Sequence, residues 1–274
     1  AFLYLGSAAG LSVSAAWASE SNQAGANFGW CVSSVGDTNG DGYGDLVVGA
    51  PGYDNPETNE GGAFLFLGSA SGLSNTAAWT AESNQASANF GEALSSAGDV
   101  NGDGYADLVV GARLFDNGES NEGGAFLYLG SASGLTSTAA WSAESNQQAA
   151  NFGRSVSSAG DVNGDGFDDV IVGAWSYDNG ESDEGRAFLY LGSPSALSTA
   201  AAWTAESNQS DAYFGYSVSS TGDVNGDGYG DVIVGAHNYD SAWSDEGGAF
   251  LYLGSAAGLS ADSAWTAVSN QPNA

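Results

Sequence analysis

The chain repeats itself every 62 residues, and that period decides what it can fold into. A run built on Ala-Phe-Leu starts at Ala1, Ala63, Ala125, Ala187 and Ala249. The pattern Asp-x-Asn-Gly-Asp-Gly-x-x-Asp starts at Asp37, Asp99, Asp161 and Asp223. The 274 residues hold four full periods and part of a fifth.

Each period reads as four short strands. In the first they are Gly29 to Val35, the β-branched run Asp45 to Ala50, Ala63 to Leu67, and the stretch around Trp79. Clusters of Gly, Asn, Asp and Ser separate them, which is turn chemistry. No window sustains a 3.6-residue apolar period, so helix is expected to be nearly absent. Four strands per repeat is the unit of a β-propeller blade, and the fold class predicted is an all-β propeller of four-stranded blades. One blade cannot bury both its faces, so neighbours must stack on it. Ser33, Ser34 and Gly36 suit a crowded innermost strand, whereas Phe64, Phe66 and Trp79 suit the wider faces between blades. A β-solenoid is the competing architecture, but its repeats are usually shorter and its Gly-Gly-x-Gly-x-Asp pattern is missing here.

Composition removes whole classes of function. There are 33 acidic residues against three basic ones, a formal charge of -30, and no Lys. Nucleic-acid binding is driven by Lys and Arg neutralising phosphates, so it is excluded as an expectation. Anionic membrane surfaces are disfavoured for the same reason. No run of about 18 apolar residues exists, so membrane insertion is not expected. Cys31 is the only cysteine, which leaves no intrachain disulfide and no Cys-based zinc site. The opening residues from Ala1 to Leu5 are strand-like, and no signal peptide is visible.

The acidic pattern has the makings of a metal loop. Asp37, Asn39 and Asp41 alternate, so their oxygens at positions 1, 3 and 5 are aimed at one point. The backbone carbonyl of Tyr43 can supply position 7 and Asp45 position 9. Hard oxygen donors in that number suit Ca²⁺. An EF-hand would carry a bidentate Glu at position 12, where this chain has Val48 and runs on into a strand. The loop recurs as Asp99, Asn101, Asp103, Tyr105 and Asp107, then as Asp161, Asn163, Asp165, Phe167 and Asp169. The fourth copy is Asp223, Asn225, Asp227, Tyr229 and Asp231. About four Ca²⁺ per chain are expected. A solvated turn without metal is the alternative, but three carboxylates in one tight loop repel one another unless a cation is present.

Phe-Gly precedes each loop at Phe28-Gly29, Phe90-Gly91, Phe152-Gly153 and Phe214-Gly215, and Gly49-Ala50-Pro51 follows the first. With the acidic loop between them, these residues resemble the FG-GAP repeat of integrin α-subunit propellers and of many bacterial extracellular proteins. The resemblance covers essentially the whole chain. It implies a Ca²⁺ in the hairpin between the first and second strands of each blade, and a ring of seven blades. The Pro of the first copy becomes Arg113, Trp175 and His237 in the others, a change in the next loop that leaves the ligands alone.

Blades are then expected at 28–89, 90–151, 152–213 and 214–274, with 1–27 the outer half of an incomplete blade. Seven blades at this period need about 430 residues. The expectation is either that the chain is the C-terminal portion of a larger propeller or that another chain supplies the missing strands. An uncovered blade edge is an aggregation hazard, so self-association through the incomplete blade is a candidate interaction.

The loops 51–61, 113–123, 175–185 and 237–247 each open on an aromatic residue and an acid. Tyr53, Phe115, Tyr177 and Tyr239 are candidate ligand-binding residues there, facing a protein or a glycan. The competing reading packs these aromatics between blades. Catalysis lacks its parts: one His, no Lys, and no nucleophile motif, with the clustered acids already assigned to metal. The chain is expected to be non-catalytic and to serve adhesion or binding, with a structural subunit of a surface fibre or matrix as the alternative. Millimolar extracellular calcium fills modest-affinity loops, which points to an extracellular or cell-surface setting.

Overall fold

The computed structural model describes residues 1–271. Its regular elements are all strands, gathered into four four-stranded antiparallel sheets in chain order, the blades of a β-propeller. The first sheet is Val32–Gly36, Asp45–Ala50, Gly62–Phe66 and Trp79–Glu82. The second is Ala93–Gly98, Asp107–Ala112, Gly124–Tyr128 and Trp141–Glu144. The third is Phe152–Gly160, Asp169–Ala174, Arg186–Tyr190 and Trp203–Glu206. The fourth is Phe214–Gly222, Asp231–Ala236, Gly248–Tyr252 and Trp265–Val268. Among the described residues no helix is long and apolar enough to cross a membrane.

Before them, Phe2–Leu3 pairs with Trp17–Ala18, and Gly6–Ser7 pairs with Gly10–Leu11. By the period, the first pair are third- and fourth-strand segments, and the second pair lie in the loop that joins them. The first strand of the first sheet starts three residues later than the sequence suggests. In the third and fourth sheets the strand starts at Phe152 and Phe214, with a register shift before Ser155 and Ser217.

The core lies between sheets. Val35, Val47 and Leu65 of the first meet Phe90, Leu94, Val110 and Tyr128 of the second, and the same arrangement recurs at the next two junctions. First strands adjoin closely because their side chains are small. Ser96 Oγ donates to Val35 O at 3.3 Å, and Ser155 Oγ to Gly215 O at 2.9 Å. Cys31, half-buried, points its thiol at Leu94 O at 3.6 Å, and burial pushes that thiol up.

Fourth strands are tied outward. Each Trp indole donates to a carbonyl 57 residues on: Trp17 to Ser74, Trp79 to Thr136 and Trp141 to Ser198 at 2.9 Å, and Trp203 to Ser260 at 3.0 Å. Each also meets an aromatic of the next sheet edge-on, as Trp79 does Tyr128 at 4.8 Å. A polar tip and an apolar ring are thus satisfied together. Trp265, with no following sheet, is 52% exposed.

Candidate metal centres and the opposite loop face

The loop between first and second strands is wound around its first acid. Gly40 N–H and Asp41 N–H donate to Asp37 Oδ1 at 2.7 and 3.1 Å, and Gly42 N–H donates to Oδ2 at 2.7 Å. Asp41 N–H is shared with Asn39 Oδ1 at 3.1 Å, which brings the oxygens of positions 1 and 3 side by side. Asn39 Nδ2 in turn donates to Asp41 Oδ2 at 3.1 Å. Gly40 and Gly42 sit at φ of 74° and 88°, the left-handed region this tight winding requires. The same bonds recur at Asp161 and Asp223. At Asp223 the Gly228 N–H, with those of Gly226 and Asp227, holds the carboxyl below the usual range.

The ninth position is placed differently from the other three. Asp45 is buried, and its Oδ2 accepts from Thr38 N–H at 2.9 Å and Thr38 Oγ1 at 2.6 Å. Its Oδ1 accepts from Gly68 N–H at 2.8 Å. Asp107, Asp169 and Asp231 repeat the two main-chain bonds, with Val100, Val162 and Val224 in the place of Thr38. Burial pushes Asp107 and Asp169 up to about 7, against main-chain N–H bonds that pull them back. The structure therefore gathers Asp37, Asn39 and Asp41 at the loop surface and sets Asp45 beneath them as a strut to the third strand. Among the described residues no three acidic, His or Cys groups converge at metal distance. The donor set facing outward, two carboxylates and an amide oxygen, is all hard oxygen, which fits Ca²⁺.

The loops are joined to one another. Ala106 N–H donates to Asp37 O at 3.0 Å, Asp168 N–H to Asp99 O at 3.1 Å, and Gly230 N–H to Asp161 O at 2.8 Å. The rings of Tyr105, Phe167 and Tyr229 lie against Gly40, Gly102 and Gly164 of the preceding loop, at places a side chain there would occupy. The aromatic at position 7 is thus a lid on the preceding loop. Tyr43 covers no preceding loop and is 43% exposed.

At the other end of the sheets, the four loop aromatics are half-buried supports. Tyr53 meets Phe64 edge-on at 5.2 Å, Phe115 meets Phe126 at 5.3 Å, Tyr177 meets Phe188 at 5.5 Å, and Tyr239 meets Phe250 at 5.1 Å. The acids beside them hold the loop. Asp54 Oδ1 accepts Asn59 N–H at 2.6 Å, and the fully buried Glu60 accepts Asn55 N–H. Glu122, Glu184 and Glu246 do the same, each leaving one buried oxygen without a partner.

What differs between the copies lies near these supports. The series Trp30, Glu92, Arg154, Tyr216 and the series Pro51, Arg113, Trp175, His237 change side-chain class from copy to copy. The structure brings them together: Arg113 Nε lies 2.6 Å from Glu92, Arg154 stacks 4.5 Å over Tyr216, and Trp175 meets Tyr216 at 5.5 Å. Their signal in the sequence is divergence within an otherwise near-identical repeat. Reading the recurring aromatics as the ligand face passes over it.

An FG-GAP repeat model matches four times, at residues 28–66, 90–128, 152–190 and 214–252. The chain belongs to the FG-GAP repeat family. It is 30% identical to integrin alpha-5 of Xenopus laevis over 223 residues, covering 78% of this chain and 20% of that protein. It is 33% identical to integrin alpha-V of Gallus gallus, covering 76% and 20%. With phosphatidylinositol-glycan-specific phospholipase D of Homo sapiens it shares 34% identity, covering 70% and 24%. The chain thus spans about a fifth to a quarter of the length of these curated relatives.

Proposed function

We propose that the chain forms the calcium-stabilised part of an extracellular or cell-surface propeller whose task is adhesion or binding rather than catalysis. The observation that carries this reading is the fourfold loop in which Asp37, Asn39 and Asp41, and their counterparts, crowd hard oxygen donors around glycine turns. When bound, Ca²⁺ supplies charge neutralisation there. The chain's own part is to hold the first acid by three N–H groups and to lock each loop to the next through residue 106, 168 or 230. Four such ions would leave about -22 of the formal -30, so the surface stays strongly acidic.

Similarity to integrin α-subunits supports the cell-surface setting and the adhesive role. The similarity to a phospholipase D covers 24% of that protein, and its activity is not carried over to this chain. Calorimetric titration of the EDTA-stripped chain with Ca²⁺ tests the reading. About four ions per chain and a rise in melting temperature are expected; no uptake and an unchanged melt would remove the metal.

The exposed faces of Trp265 and Tyr4 favour a second reading, self-association. Elsewhere the same two positions, 49 residues apart, meet edge-on, as Trp203 does Tyr252 at 4.8 Å. A second copy would bring the Trp265 side onto the Tyr4 side, as a fibre or matrix subunit requires. Sedimentation velocity across a concentration series tests it: a single monomeric boundary at all concentrations would end it.

A further inference from the structure

The loop face contains an open hollow beside Pro51, at a place where Arg113 and Trp175 of the second and third copies cross over. It measures about 300 Å³ and lies between the first and second sheets, lined by Trp30, Asn27, Asn59, Asn89, Glu92 and Arg113. Its opening depends on Pro51 and Gly52. In the second copy the counterpart Arg113 reaches across, bonded to Glu92 at 2.6 Å and to Asn151 Oδ1 at 3.4 Å. In the third, Trp175 packs on Tyr213 at 4.9 Å and on Tyr216 at 5.5 Å. The first copy has no such crossing side chain. Gly52 is held as glycine because the carbonyl of Gly25 passes 2.3 Å from where its Cβ would sit.

The walls define what fits. Trp30 is 62% exposed, so a large apolar ring face stands open to solvent at the rim. The side-chain amides of Asn27, Asn59 and Asn89 make no hydrogen bond among the described residues, and each offers donors and an acceptor. All three sit at positive φ, between 50° and 57°. The only charges are Glu92 and Arg113, and they are spent on each other. The hollow therefore carries no free charge to select an anion or a cation. An apolar ring face, free amides and a neutralised ion pair together match a pyranose, with C–H groups on one side and adjacent hydroxyls on its rim.

We propose that this hollow is a binding site for a neutral sugar ring. The proposal rests on the reading of the chain as a binding module and names the ligand class and the residues, which are not the repeated tyrosines. It does not require the loops at the other end to hold calcium.

The test is saturation-transfer NMR on the full chain in Ca²⁺, with the methyl glycosides of glucose, galactose, mannose and N-acetylglucosamine, and with tri-aspartate for comparison. At least one glycoside is expected to receive transfer at its ring C–H protons. Trp30→Ala and Pro51→Trp should each weaken that binding at least tenfold. Pro51→Trp installs the residue the third copy already carries, and circular dichroism checks that both variants fold. Trp243→Ala, at another exposed indole, should leave binding unchanged. No transfer to any glycoside, transfer undiminished in both variants, or transfer to tri-aspartate alone would overturn the proposal. Repeating the titration in EDTA separates the two readings. Glycoside binding by a chain that takes up no Ca²⁺ would sink the calcium reading alone; four bound Ca²⁺ with no glycoside binding would sink the sugar site alone.

Discussion

The carbonyl oxygen of Gly91 lies 2.0 Å from where a Cβ on Gly49 would stand. Gly49 opens the Gly-Ala-Pro end of one repeat, and Gly91 belongs to the Phe-Gly start of the next. The two glycines that frame the repeat face each other across a blade junction. Gly111 and Gly153, and Gly173 and Gly215, repeat the contact at the same 2.0 Å. The motif is therefore a condition for stacking, since both members are backbone placed where a side chain would be.

Gly111→Ala should accordingly destabilise the chain by about 3 kcal/mol, the scale of forced overpacking in a core. Gly235→Ala should cost clearly less, because only the Ser217 hydroxyl, at 2.5 Å, stands in its way and that side chain can turn. Urea unfolding of the two variants checks the order. Equal losses would mean that the junction yields easily and that the glycine pair is incidental.

Removing one loop's hub should remove one metal. Asp161 Oδ1 and Oδ2 hold the N–H groups of Gly164, Asp165 and Gly166, so Asp161→Ala takes away both a ligand and the template for the other two. Calorimetry should then count about three Ca²⁺ instead of about four. Because Asp168 N–H and Gly230 N–H tie the third loop to those beside it, the affinity of the neighbours should fall as well. An unchanged count would show that the loop is a turn and not a site.

Much of this was legible from spacing alone. A fixed 62-residue period with turn residues between β-branched runs allows few folds, and it placed the strands from Asp45 to Ala50 and their copies without any structure. Spacing does not show that Asp45 also turns beneath the loop to accept from Gly68 N–H, 23 residues on. Nor does spacing show that Tyr53 and its counterparts pack edge-on against Phe64 and its counterparts. An aromatic beside an acid reads the same whether it meets solvent or stacks on Phe64. The hollow beside Trp30 needed the three-dimensional neighbours of Pro51, which come from another blade.

The indole bonds offer a comparison inside one chain. Trp203→Phe keeps most of the ring on Tyr252 but loses the 3.0 Å bond to Ser260 O, leaving that carbonyl unpaired at the junction. About 1 kcal/mol should be lost, the net worth of a hydrogen bond of this kind. Trp265→Phe should move stability by less than about 0.5 kcal/mol, since an exposed ring away from such features contributes little. Chemical denaturation at matched Ca²⁺ decides it. A loss at Trp265 as large as at Trp203 would indicate that the exposed ring is covered in solution by another chain.

The same aromatic junctions should make the protein sensitive to alkali. Tyr128 and Tyr252 are buried against the tryptophans of the preceding sheets, and burial pushes both hydroxyls up to about 12; Tyr190 is raised further. Below pH 10 these groups are protonated whether the chain is folded or not, so they impose no pH dependence. Above about 10 the unfolded chain releases protons that the folded chain retains, and stability falls as pH rises until the folded hydroxyls also ionise near 12. Each such tyrosine withdraws about 2–3 kcal/mol across that window. Thermal melts at constant Ca²⁺ should be flat from pH 8 to about 9.5 and then drop steeply. Tyr128→Phe, which cannot ionise, should lessen the drop; a profile identical to the parent's would mean that the hydroxyl is hydrated in the folded chain and the junction is looser than its geometry.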